Sequence, residues 1–377
     1  MNGLRVLLTN GQLMHGGADF YVRDLALALL HRGHTPIVYS TVLGNAAEDL
    51  RQQTIPVVDN LEAVGAPPDI IHGQGHLETV TALLRFPSVP AVYFLHDNLA
   101  PHSKPPKWPR ILRYVAVDET CRDRMVFEYG IPENRAQVLL NAVDLTRFTP
   151  RAPLPSRPAR ALVFSNHSSY HLHAVRAACD RAGLILDVIG QDSNNICTQP
   201  ETMLGQYDIV FAKARCALEA MAVGAAVILC DFRGAGPMVT SGEFDRLRHL
   251  NFGHRALNQP HDPAVIAREI ARYDAADAME VSRQIRATAG LHKLVDDILA
   301  LYDEVLDEFA EAGAPNAEAE ARAAAAYLRW VSEQWRAEQN QLLETLFNRI
   351  KHRVLRLPPL KATRSSVAQL KAKFLPH

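Results

Sequence analysis

The chain has 377 residues, enough for two domains of ordinary size and a remainder. It is 48% hydrophobic and 21% charged with a formal net charge of −1, which excludes an acidic disordered chain and a globally basic nucleic-acid binder. The charge is unevenly spread: from Thr345 onward there are eight basic and no acidic residues, leaving 32 basic against 41 acidic, a net of −9, on residues 1–344.

Arg5 to Thr9 is nearly all apolar, as for a strand buried on both faces of a parallel sheet. A glycine loop follows, then a helix with Tyr21, Leu25, Ala28 and Leu29 at helical spacing, stopped at Arg32-Gly33-His34. Further strands are predicted at Ile37 to Thr41, Asp69 to His72 and Val89 to His96. This alternation means a doubly wound α/β domain. Four prolines between Phe148 and Pro158 break helix and sheet alike and set a domain boundary near residue 150. A second α/β cycle is predicted from strand Ala161 to Ser165, a helix near His171 to Ala182, strands Leu184 to Gly190 and Ile209 to Lys213, helix Ala217 to Val223 and strand Val227 to Asp231. Gln191 to Tyr207 is too short for a full helical crossover with a further strand, so this domain is expected to be small. The region that closes it, to about residue 312, reads as helices, with Leu294, Ile298, Leu301, Val305 and Leu306 on one face. Gly313-Ala-Pro-Asn interrupts, and residues 317–357 read as one helix of roughly 60 Å carrying Leu328, Val331, Trp335, Leu342, Leu346, Ile350 and Val354 near one stripe. That stripe needs a partner, and an oligomer contact would supply one.

Cys121, Cys179, Cys197, Cys216 and Cys230 are odd in number and widely separated, with no C-x-x-C, which predicts neither a disulfide framework nor a zinc site. No stretch approaches the roughly 20 apolar residues of a bilayer span, and no signal peptide is recognised before the first strand, so a reduced, cytoplasmic protein is expected. Gly16-Gly17 before the first helix lets a phosphate meet free amides and a positive helix end, although a plain tight turn has the same sequence. No G-x-G-x-x-G is present and Tyr39-Ser40-Thr41 offers no carboxylate for a ribose, so a dinucleotide cofactor is set aside.

Joined in order, Gly16-Gly17-Ala18-Asp19, Arg32-Gly33-His34, Asp69-Ile70-Ile71-His72, Leu95-His96-Asp97 and the run Asn141 to Phe148 resemble the amino half of glycosyltransferase family 4. Asp187-Val188-Ile189-Gly190 and the run Leu218-Glu219-Ala220-Met221 to Val227 resemble its carboxyl half, and together they cover about residues 1–310. The resemblance implies the GT-B fold: two Rossmann-like doubly wound α/β domains facing across a cleft, here residues 1–150 on the acceptor side and 151–312 on the donor side, with a helical extension at 313–377. It implies a glycosyltransferase using a nucleotide diphosphate sugar as co-substrate, without other cofactor or metal, and with retention of anomeric configuration. The absence of any Asp-x-Asp pair agrees with metal independence. Glu219 matches the carboxylate that binds the donor ribose, and His96 the histidine that faces the transferred sugar.

Two departures stand out. The second glutamate of the family is replaced by Phe211, and the Arg and Lys expected after the first strand of the second domain are replaced within Ser165 to His171. A diphosphate leaving group demands cations or amides. Lys213 and Arg215 stand nearby and are the expected replacements, with the amides of Gly16 and Gly17 opposite; Gly190 and the Gly234 and Gly236 turn complete the expected donor site. Turn chemistry alone also accounts for the last two. The alternative reading is a catalytically inactive GT-B binding or assembly subunit, and a third is a phosphorylase or epimerase of the same fold. The acceptor is expected to be a glycan, a lipid or a surface polysaccharide. Val367, Leu370 and Phe374 with Lys371 and Lys373 could rest residues 349–377 on an anionic bilayer at the inner face of the membrane, and a disordered basic end explains them equally well.

Overall fold

The computed structural model describes residues 3–14, 16–97 and 103–355, with side chains through Arg349. The chain divides into two compact units, one ending at Asn316 and one beginning at Ala317. The first unit holds two sheets. Strands β1 (Arg5–Thr9), β2 (Thr35–Tyr39), β3 (Val57–Val58), β4 (Ile70–Gly73), β5 (Ala91–Leu95), β6 (Ile111–Ala116) and β7 (Ala136–Val138) form a parallel sheet in the order β3-β2-β1-β4-β5-β6-β7. Strands β8 (Arg160–Phe164), β9 (Ile185–Ile189), β10 (Ile209–Ala212), β11 (Ala226–Asp231) and β12 (Gly234–Met238) form a second sheet in the order β12-β11-β10-β8-β9, parallel except for β12.

The helices of the first sheet are α1 (Gly17–His31), α2 (Asn45–Gln52), α3 (His76–Arg85) and α4 (Glu119–Asp123). The second sheet carries α5 (Leu172–Ala182), α6 (Ala214–Val223), α7 (Phe244–His249), α8 (Pro263–Ile270) and α9 (Ala275–Thr288). Two long helices end the chain, α10 (Leu291–Ala312) and α11 (Ala317–Leu355). Amphipathic spacing explains their docking: α1 buries Tyr21, Val22, Leu25, Ala26 and Leu29. Between β9 and β10 the chain makes three short 3-10 turns in place of a crossover helix, in keeping with the short connection.

Strand order reverses between β1 and β4 and again about β8, and in open α/β sheets the crevice beyond the carboxyl ends at such points receives the ligand. The residues following those strand ends, Asn10, Gln74, Ser165 and Lys213, all line cavities between the lobes. The chain passes from first lobe to second through residues 143–158, where Val143 N–H donates to Ala289 O (2.8 Å) and Leu291 N–H to Val143 O (3.0 Å).

Two expectations are corrected. The closing helix α10 belongs to the first lobe: Leu294, Val295, Ile298, Leu301, Tyr302 and Val305 share a core with Val6, Leu8 and Val92. Residues Gly234 to Pro237 are a strand, not a turn, because their backbone pairs antiparallel with β11 and Ala235 also pairs with Gln259. In the second unit, Leu328, Trp335, Leu342 and Leu346 of the α11 stripe are exposed, as a face that needs a partner would be. Val367, Leu370 and Phe374 lie outside the described residues, among which no helix is long and apolar enough to cross a membrane.

The return of α10 is pinned by a buried polar contact, Tyr302 Oη to His72 Nδ1 at 2.7 Å, both residues fully inaccessible. Tyr302→Phe strips the ring nitrogen of its partner and is expected to cost about 1–3 kcal/mol in chemical unfolding. An unchanged midpoint would show that the contact stabilises nothing.

Candidate functional site

The cleft has two communicating parts that share Gly17, Asn166 and Arg215 in their walls. The smaller, about 740 Å³ with its open mouth, is lined by Gly17, Phe20, Arg23 and Arg147 on one side and by Gly190, Arg215 and Glu219 on the other. The larger, about 1500 Å³ with its mouth, holds Gly16, Gly17, His96, Asp97, His167, Lys213 and Arg215. Five positions singled out from sequence, Gly16, Gly17, His96, Lys213 and Arg215, therefore meet around one space, and Gly190 and Glu219 join them in the smaller part.

The wall between the lobes is an ion cluster. Asp24, on α1, receives Arg215 of α6, Arg23 (3.0 Å) and Arg147 (3.4 Å). Arg215 also donates to Glu219 (2.8 Å), and Arg147 to Glu201 (3.0 Å). Burial works against the charge of Asp24, but Arg215, Arg23 and Arg147 outweigh it and hold its carboxyl below the usual value. For Glu219 burial wins, and Arg215 only partly offsets the upward shift. Burial also opposes the Arg215 guanidinium, yet the two carboxylates raise its pKa above normal. Cation and anion here exist in the protein interior only because they hold each other.

Lys213, the residue before α6, lies 3.0 Å from Asp231 and 3.0 Å from His254 Nε2. Between Lys213 and Arg215 the backbone of Ala214 is left-handed (φ 47°), a conformation costing an alanine about 1–2 kcal/mol, and its N–H donates to Phe252 O at 3.0 Å. His96, on the floor of the larger part, packs on Tyr21 with ring centroids 4.4 Å apart, and its buried Nε2 has no partner among the described residues. Burial, then Arg215, depresses its pKa to about 3 against the opposing pull of Asp97, so the imidazole is neutral at physiological pH.

The glycines separate into used and unused. Gly190 is demanded by its backbone (φ 143°), and a Cβ there would lie 1.9 Å from Ser165 O where β8 and β9 end. At Gly17 a Cβ would meet nothing within 4 Å, so the helix start stands open to the cleft. Gly16 differs from expectation: its N–H donates to Asp19 Oδ2 at 2.7 Å, so a carboxylate of the protein already holds that amide. Gly234 and Gly236 do not line the cleft; they lie buried in β12, where a Cβ would strike Gln259 O (2.7 Å) or Ala256 O (2.6 Å). Phe211 is fully buried on β10, and the stretch after β8 presents Asn166 and His167 to the cleft but no cation. Sequence reading missed Asp24, Arg23 and Arg147. A carboxylate on the buried face of α1, three residues after Tyr21, was the available signal.

Residues 15–147 match the model of Glycosyltransferase Family 4. No curated protein matches the chain in sequence. A solved glycosyltransferase from Rickettsia africae superposes with a TM-score of 0.60 at 16% identity, over 81% of this chain and 99% of that one. Anabaena HepE, in complex with UDP and glucose, gives 0.57 at 16% identity over 80% and 99%. A putative UDP-N-acetylglucosamine 2-epimerase from Listeria monocytogenes gives 0.52 at 13% over 84% and 99%. The architecture of this chain is that of the GT-B structures, as the resemblance implied.

Two outcomes follow from the electrostatics. Arg215→Ala strands Glu219 in the interior and is expected to cost about 3–5 kcal/mol in denaturant unfolding, part of it recovered when Glu219 is replaced by Leu in the same chain; a loss below 1 kcal/mol would contradict a buried cluster. His96 and His254, depressed to about 3 and about 4 chiefly by burial, remain unprotonated when the unfolded chain takes up protons near 6.5. Their folded-state pKa values lie below the unfolded ones, so stability is flat above 6.5 and falls as pH drops toward 4.5. His96→Phe should shallow that slope in thermal unfolding measured across this range, and an identical slope would remove His96 as a contributor.

Proposed function

We propose that this chain, whose residues 15–147 are a glycosyltransferase family 4 domain, moves a sugar from a nucleotide diphosphate sugar to an acceptor held on the side of the first lobe. The observation that carries the reading is the convergence of Gly17, Gly190, Arg215 and Glu219 on one recess beside His96. Glu219 Oε1 is taken by Arg215, and its second oxygen serves the ribose hydroxyls. The guanidinium forks of Arg215 and Arg147 suit phosphate oxygens. In the structure they are satisfied by Asp24, so the donor diphosphate takes the place of the Asp24 carboxylate as the anion they neutralise. Charge developing on the leaving diphosphate is then met by preorganised cations.

His96, neutral and with an unpaired Nε2, contacts the transferred sugar as hydrogen-bond donor or acceptor. Transfer proceeds with retention: the acceptor hydroxyl oxygen bonds to the anomeric carbon on the face the diphosphate leaves, the bond between that carbon and the diphosphate oxygen breaks, and the departing phosphate oxygen accepts the hydroxyl proton. Because HepE was solved with UDP, uridine nucleotides are the first donors to test.

A second reading, a binding or assembly subunit of the same fold, is favoured by the pairing of Arg23, Arg147, Lys213 and Arg215 with carboxylates and by the exposed Leu328, Trp335 and Leu342 of α11. Thermal stabilisation by a panel of nucleotide sugars, followed by assay of nucleoside diphosphate release with sugar acceptors, separates the two. The transferase reading predicts release that requires an acceptor, whereas binding without release supports the subunit and conversion of the sugar nucleotide itself an epimerase. Glu219→Ala should weaken the stabilising donor by about 10–100-fold, the worth of hydrogen bonds to a charged group; undiminished affinity would take Glu219 out of the donor site.

A further inference from the structure

Outside the cleft wall, three side chains distant in sequence come together near the carboxyl end of β11 in the second sheet. His171 precedes α5, Cys230 lies on β11, and His261 sits in the loop that follows the β12 pairing. One nitrogen of each histidine and the sulfur of Cys230 lie within 4.8 Å of one another. The histidine rings are 5.7 Å apart.

Three features make this more than a packed corner. His171 is only 1% exposed, yet neither ring nitrogen has a hydrogen-bond partner among the described residues. Leaving both nitrogens of a buried imidazole unpaired is costly, and a bound cation would remove that cost for one of them. His261 is oriented as metal-bound histidines are: Nε2 is 2.7 Å from the main-chain oxygen of Asp231, so Nε2 carries the proton and Nδ1 keeps its lone pair. Cys230 is fully buried, and His261 is partly exposed, giving an ion a way in from solvent.

We propose that His171, Cys230 and His261 form a site for one divalent transition-metal ion of the zinc class. Two imidazole nitrogens and a thiolate are a borderline-soft donor set, which suits Zn²⁺ and disfavours Mg²⁺ or Ca²⁺. The fourth position is left to water. On binding, the Cys230 S–H proton leaves to solvent as the metal–sulfur bond forms, with no change of oxidation state. The ion ties the start of α5 to β11 and to the loop at 261, and so braces Ser165 to Tyr170, the segment that presents Asn166 and His167 to the cleft. It is a structural ion, separate from the chemistry proposed for the donor.

The test uses the full chain, freed of metal by chelator and titrated with Co²⁺ as a spectroscopic stand-in. One equivalent is expected to give the visible bands of a four-coordinate ion and a thiolate-to-cobalt charge-transfer band, both removed by one equivalent of Zn²⁺. Cys230→Ser should abolish the charge-transfer band. His261→Gln, at the partly exposed position, should weaken Co²⁺ binding by more than the roughly 10–100-fold that loss of an outer-shell partner brings. If the Cys230→Ser chain loses its fold by circular dichroism, His261→Gln alone decides. No stoichiometric binding by the unaltered chain, or binding unaltered in the folded variants, overturns the proposal. These signals involve no sugar nucleotide, so they are independent of the transferase reading.

Discussion

A single carboxylate, Asp24, organises the space between the lobes. It is nearly inaccessible, and Arg23, Arg147 and Arg215 gather on it from α1, from the connection between lobes and from α6. A buried charge of this kind is tolerated only while its partners are present, so the cluster ties lobe approach to charge neutralisation. The same guanidinium groups are what a diphosphate would need. Under the proposed function, holding the lobes in this arrangement and receiving a donor would be competing uses of one set of cations.

The sheets explain why the cluster lies where it does. Each reverses its strand order once near its centre, which opens a crevice at the carboxyl ends of β1 and β4 in one lobe and of β8 and β10 in the other. The helix after β1 and the helix after β10 begin at those crevices and carry Asp24 and Arg215 respectively. The return of α10 to the first lobe, sealed by Tyr302 against His72, commits the two lobes to a common unit.

Much of this was legible in the residues. Apolar runs such as Arg5 to Thr9 and Val227 to Asp231 can only be central parallel strands, and the helical spacing of Tyr21, Leu25 and Leu29 set α1. The proline-rich segment marked the passage between lobes. What failed to show was anything decided by pairing across the chain. Gly234 to Pro237 has the composition of a turn, yet its antiparallel partner β11 makes it a strand. Gly16 has the composition of a phosphate loop, yet Asp19 occupies its amide. Spacing likewise gave no hint of the metal site proposed above, because His171, Cys230 and His261 share no local motif and meet only at the carboxyl end of β11. Lys213 and Arg215 do face the cleft, but their carboxylate partners, Asp231 and Asp24, are 18 and 191 residues away.

Calorimetric titration of UDP into the unaltered chain and into Asp24→Asn and Arg215→Ala probes the competition at its centre. If the diphosphate and Asp24 contend for the same guanidinium groups, UDP binds more tightly to Asp24→Asn and more weakly to Arg215→Ala than to the unaltered chain. Equal affinity in all three would mean that the cluster only holds the lobes together and that the diphosphate, if bound at all, is received elsewhere.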